Sequence, residues 1–260
     1  MPRFAFMYIL CIWMIAACSK PEIYEIRYPD GRVKERGPTK PGSDGKPVRH
    51  GLWQGFHDDG SVRIESTYHD NLMHGTAKEY SRSGQLIYVR NYKMGKKHGK
   101  FELWYKDGAR REVSHYIDDV QNGEFRAWST QGHLTAEQNF INGFVDGRSR
   151  IFFDSGKIQS EQFFANGNLN GEGLSYSEEG LIVARAFYKD GKLDGKHLVY
   201  FTDGSTRAIE LFERGKRVGT WTMYDNPGNL RVKIRFKNDT VLSQDCFQVD
   251  GTSMNCLDYW

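Results

Sequence analysis

The sequence predicts an all-β protein, an elongated single-layer antiparallel meander of eight 24-residue β-hairpin repeats. Three observations predict it. Steps of 24 residues from Gly51 land on Gly75, Gly99, Gly123, Gly147, Gly171, Gly195 and Gly219, and nine residues after each of these eight stands a second glycine, from Gly60 to Gly228. Five residues after each unit start the residue is aromatic (Phe56, Tyr80, Trp104, Trp128, Phe152, Tyr176, Tyr200, Tyr224), and so it is seventeen residues after (Tyr68, Tyr92, Tyr116, Phe140, Phe164, Tyr188, Phe212, Phe236). Aromatic residues make up 14% of the chain, so an unbroken set of this kind demands one shared environment in every unit. A further turn column varies: Asn71, Gly95, Asp119, Gly143, Gly167, Gly191, Gly215 and Asp239. Wherever glycine is lost, Asn or Asp replaces it, the side chains that best tolerate positive φ.

The N-terminal residues stand apart from this pattern. Arg3 precedes an apolar run, Phe4 to Ala17, too short to span a bilayer as a mature helix, so residues 1–17 read as an export signal. The run ends in Ile15-Ala16-Ala17-Cys18. This ending resembles the lipobox of bacterial lipoproteins, which implies lipidation of Cys18 and cleavage before it. Ser19 follows in place of Asp, which by the same resemblance implies sorting to the outer membrane in a Gram-negative host. Residues 18–50 are expected to form a tether: Tyr28-Pro-Asp-Gly31-Arg-Val33 has the look of half a unit, and a Pro/Gly/Lys-rich stretch from Gly37 to Pro47 suggests flexibility.

Within residues 51–242, two turns per unit separated by short segments rich in β-branched and aromatic residues make a β-meander. If the second glycine of each unit is the bulge residue of a three-residue loop, the aromatic at the fifth position lies across from the eleventh. That register pairs Phe56 with Val62, Tyr80 with Leu86, Trp128 with Leu134, Phe152 with Ile158, Tyr176 with Ile182 and Tyr224 with Leu230. Trp104 with Arg110 and Tyr200 with Thr206 complete the set without an aliphatic partner. Sixteen strands at a spacing of about 4.8 Å would extend roughly 75 Å.

Residues 243–260 are expected to cap the array. With Cys11 in the signal and Cys18 lipidated, Cys246 and Cys256 remain, flanking the turn-like Asp250-Gly251. In an exported protein a disulfide closing this hairpin is expected. The competing reading, a metal site, has two thiols and no nearby histidine.

Tyr92-Lys-Met-Gly95-Lys-Lys-His-Gly99, Tyr188-Lys-Asp-Gly191-Lys-Leu-Asp-Gly195 and Phe212-Glu-Arg-Gly215-Lys-Arg-Val-Gly219 resemble the Y-x-x-G-K-x-x-G core of MORN repeats in their bacterial variant. The resemblance covers residues 51 to about 242 and implies an elongated single-layer sheet of successive hairpins.

Candidate chemistry is sparse. Gly191-Lys-Leu-Asp-Gly195-Lys196-His197 has one residue too few between its glycines for a phosphate loop, and His197 stands where Ser or Thr would bind magnesium. His50, His74 and His98 share one column and suggest a metal or pH-sensing ladder, but later units carry Asn122, Asp146, Asn170 and Asp194 there, as a polar turn column would. Acidic pairs lie in or beside turns, and a single layer offers no cleft to desolvate a carboxylate. No cofactor is implied, and no segment outside the repeats is long enough for a catalytic domain, so the chain reads as a non-enzyme. The 36 basic and 33 acidic residues are intermixed, which gives no reason to expect nucleic acid as a partner.

The function expected is therefore a lipid-anchored cell-envelope scaffold or adaptor that binds an envelope protein. Recognition of glycan or lipid through aromatic side chains is the alternative, and an immunity or antitoxin-like role is a subcase of partner binding. Residues that vary between units, Trp53, Tyr105, His115 and Trp221, are the candidate contact surface.

Overall fold

The structure is a computed structural model, and it describes residues 22–256. The export signal and Cys18 lie outside the described residues. Everything described joins one antiparallel sheet of 24 strand segments in which each hairpin pairs with the next along the chain. The sheet does not close: at one end Glu22–Arg27 pairs with Val33–Pro41, and at the other Ser253–Met254 pairs with Thr240–Phe247. The dense contacts join strands that follow one another in the chain or are separated by a single segment of two or three residues, as a one-dimensional repeat requires.

The first turn of each unit is a three-residue loop. Gly60 donates its N–H to His57 O at 3.1 Å, and His57 donates to Ser61 O at 2.9 Å. Gly60 sits at φ +85°, the left-handed position that makes a G1 bulge. The aromatic register follows from it. All eight expected pairs, from Phe56 with Val62 to Tyr224 with Leu230, face one another, Trp104 with Arg110 and Tyr200 with Thr206 included.

The same pair of hydrogen bonds also closes turns at Gly31, Gly45 and Gly251, so the described residues hold eleven such hairpins rather than eight. The distance from Gly31 to Gly60 is five residues longer than the repeat period, the excess lying at the hairpin around Gly42–Lys46, and that from Gly228 to Gly251 is one residue shorter. These shifts conceal both end units from a search at fixed period. The stretch expected to be a flexible tether is thus built into the sheet from Glu22 onward, with Val33–Pro41 and Pro47–Arg49 as paired strands. Its prolines are tolerated because Pro41 and Pro47 face each other at the end of a short edge hairpin.

The second turn is a two-residue type I′ loop. Its second residue, the Gly/Asn/Asp column, has φ between +63° and +84° in all eight units, and the residue before it lies between +47° and +52°. After this turn the chain makes a wide bulge. Thr67 alone faces His74-Gly75-Thr76, because Ser66 pairs with Ala77 and Tyr68 with Met73. The glycines of the 24-residue step, at φ +65° to +117°, sit in these bulges. Where that glycine is replaced by Ser243, the bulge loses a residue: Arg235 pairs with Ser243 and Phe236 with Val241.

Strand alternation sends the two aromatic columns to opposite faces. On one face the rings seventeen residues into each unit interleave with a column two residues in: Trp53, Ala77, Phe101, Phe125, Ser149, Gly173, His197 and Trp221. Phe101 lies 4.7 Å from Tyr116 and 5.6 Å from Tyr92, and Trp221 lies 5.0 Å from Phe212 and 4.8 Å from Phe236, measured between ring centroids. This ring ladder is the thin core of the layer. Cys246 and Cys256 form a disulfide with Cα atoms 5.2 Å apart, and Cys246 is buried opposite the fully buried Val232.

Candidate binding surface

Of the four side chains expected to make contacts, two are interior. Trp53 is 3% exposed; its indole N–H donates to Pro38 O at 2.8 Å, and the Arg49 guanidinium lies 4.3 Å above its ring. Trp221 is buried between Phe212 and Phe236 and donates to Leu211 O at 2.9 Å. Both belong to the ring ladder, so neither offers a free face to a ligand. Tyr105 is half-buried with its hydroxyl donating to Trp128 O at 2.8 Å, and half-buried His115 places Nδ1 3.0 Å from Glu124 O across a bulge. The structure does not bring these four residues together.

What it gathers instead lies on the opposite face, along the edge made by the type I′ turns. Ile117 faces Val120 across one turn and Ile141 faces Phe144 across the next. All four are exposed, Phe144 to 57%, and exposed Phe163 and Phe187 lie on the same face in the following units, two residues farther from the turn than the Ile117 column. Turn glycines position the stripe. A Cβ at Gly143 would stand 3.5 Å from Val120, and one at Gly167 would stand 3.0 Å from Phe144. Val120 and Phe144 therefore each lie over the bare backbone of the next turn.

Beside this stripe, toward the strand centres, runs a row of alternating charge. Arg126 lies 3.2 Å from Glu137, Glu137 3.1 Å from Arg150, and Arg150 3.8 Å from Glu161. Such half-buried pairs on an open face are still partly screened by solvent and add little stability. They fix the charge pattern along one flank of the apolar row. The stripe was missed in the sequence because its members come from three different columns; the signal was present in Ile117, Val120, Ile141 and Phe144, apolar where neighbouring units have Lys93, Lys96, Lys189 and Lys192.

Four segments, residues 49–70, 73–94, 145–166 and 217–238, match the MORN repeat variant model. A search of curated proteins gives no match. The matched segments share one phase: each ends at the first residue of a type I′ turn, and three of the four begin at the residue facing the aromatic before the bulge, Met73, Val145 and Arg217. The intervening units repeat the same turns and register. The chain thus carries four repeats that match the MORN variant, set in a longer array of equivalent hairpins.

Proposed function

We propose that the chain is an exported bacterial lipoprotein, anchored through lipidated Cys18 at the outer membrane, that serves as a protein-binding scaffold or adaptor rather than as an enzyme. The exposed stripe from Ile117 to Phe187 carries the binding reading. Exposed apolar side chains gathered on one face are the kind of patch that protein partners cover, and the Arg126–Glu161 charge row supplies a polar rim beside them. Recognition of glycan by ring stacking has less support. The exposed rings of the stripe are Phe, without the polar handle that Tyr or Trp would bring, while Trp53 and Trp221 are covered. An immunity-like role remains one form of the same partner binding. The anchor rests on the Ile15-Ala16-Ala17-Cys18 motif.

Affinity capture from envelope extract tests the binding reading. Wild-type chain is expected to retain a stoichiometric protein partner, and the Phe144→Asp/Phe163→Asp variant to lose it without losing its fold. Equal capture by both proteins would overturn the assignment of this surface. For the anchor, Cys18→Ala is expected to move the protein from the membrane to the soluble fraction.

A further inference from the structure

The histidine column His50, His74 and His98 does not form a ladder: each ring meets the type I′ turn of the following hairpin. His50 Nδ1 lies 3.2 Å from Asp70 Oδ1, His98 Nδ1 lies 3.3 Å from Asp118 Oδ1, and Met94 donates its N–H to His74 Nδ1 at 3.4 Å. One of these places differs from the others. The residue before Asp70 is a second histidine, His69, whereas the residue before Asp118 is Ile117. The His50 and His69 rings are 4.9 Å apart, and His69 Nδ1 is 3.7 Å from Asp70 Oδ2.

We propose that His50, His69 and Asp70 form a binding site for a late first-row divalent cation such as Zn2+. One donor atom from each lies within 4.8 Å of the other two. Ligands at about 2.0–2.2 Å from a tetrahedral zinc are about 3.4 Å apart, so closure needs shifts of about an ångström, which side chains on a solvent-facing turn accommodate by rotamer change. Two imidazoles and one carboxylate suit zinc, copper or nickel and not calcium or magnesium, which take oxygen ligands. His74, its ring centroid 5.9 Å from that of His69, is the nearest further imidazole, and water supplies any remaining position. Lys40 Nζ, 2.7 Å from Asp70 Oδ1, occupies the carboxylate in the metal-free protein and competes with the ion. Because His50 adjoins the first 24-residue unit while Lys40 belongs to the N-terminal hairpin, the ion would exchange a contact between units for one within a unit.

Calorimetric titration of Zn2+ into the untagged full chain tests the site. One ion is expected per chain. His69→Ala and Asp70→Asn should each weaken binding by at least about tenfold, His98→Ala should leave it unchanged, and Lys40→Met should tighten it severalfold. Thermal melts in chelator establish that each variant is folded. Absence of saturable uptake, uptake insensitive to both His69→Ala and Asp70→Asn, or weaker binding by Lys40→Met would each overturn the proposal.

Discussion

The backbone N–H of Asn71 donates to Arg49 O at 2.9 Å, and the N–H of Arg49 donates back to Asn71 Oδ1 at 2.7 Å. The first bond recurs in all eight type I′ turns, linking each turn to the strand end 22 residues earlier. The second exists where the column is not glycine: Lys97 donates to Asp119 Oδ1 at 2.8 Å and Arg217 to Asp239 Oδ1 at 3.0 Å. In those three units the donor residue is also a cation over the ring ladder, Arg49 on Trp53 and Tyr68, Lys97 on Tyr116, Arg217 on Phe236. Asn and Asp thus do more than tolerate positive φ; their side-chain oxygens accept from an amide that a glycine has no side chain to reach.

Asn71→Gly should cost about 0.5–1.5 kcal/mol, the net value of the lost hydrogen bond. Asn71→Ala should cost more, because it adds the left-handed penalty at φ +63°. Urea unfolding of the two variants distinguishes the contributions.

Met94 and Arg214 hold φ of +49° and +50°, where all six other units have Asp or Asn as the first turn residue in type I′ loops closed by the same geometry. Replacing either by Asn is expected to stabilise the protein by about 1 kcal/mol. A rise in melting temperature for both, additive in the double variant, is the readout.

Trp53 lies directly on Gly37, where an added Cβ would stand 2.4 Å from the indole. Gly37→Ala should therefore destabilise the joint between the N-terminal hairpin and the first unit by about 1–3 kcal/mol. The penalty should shrink in a Trp53→Ala background, and a double-mutant cycle with no coupling would contradict this contact.

Acid should weaken the turns. Hydrogen bonds from the Ser61, Ser205 and Thr252 hydroxyls, and then from the same residues' N–H groups, hold the Asp59, Asp203 and Asp250 carboxyls below the ordinary Asp value. A group whose pKa is depressed by folding stabilises the fold above its unfolded pKa and loses that stabilisation as pH falls through the folded value. Stability is therefore expected to decline below about pH 4. The decline should be smaller in an Asp59→Asn/Asp203→Asn/Asp250→Asn variant, followed by thermal melts across pH.

The repeat period, both turn types and the cross-strand register were legible in the sequence because each depends on local backbone chemistry. A glycine or Asx at positive φ fixes a turn, and the turn fixes which residues face one another. The ring column from Trp53 to Trp221 was not legible as a column, since Ala77, Ser149 and Gly173 interrupt it. The N-terminal hairpin was legible only as half a unit for a related reason: an insertion breaks the period while leaving the Gly31 turn intact, whereas the C-terminal hairpin at Gly251, one residue out of phase, was expected as a cap.

Sequence alone determined the all-β meander, its 24-residue period and the pairing of every fifth-position aromatic with its eleventh-position partner. Only the tertiary structure decided which rings are covered. Burial of Trp53 and Trp221 depends on neighbours from adjacent units: Gly37 and Arg49 around the first, Phe212 and Phe236 around the second. Tertiary structure also decided that Ile117, Val120, Ile141 and Phe144 share one exposed edge, and that His69 rather than His74 joins His50 at Asp70. Those outcomes are set by stacking across successive hairpins, which no single unit of the sequence encodes.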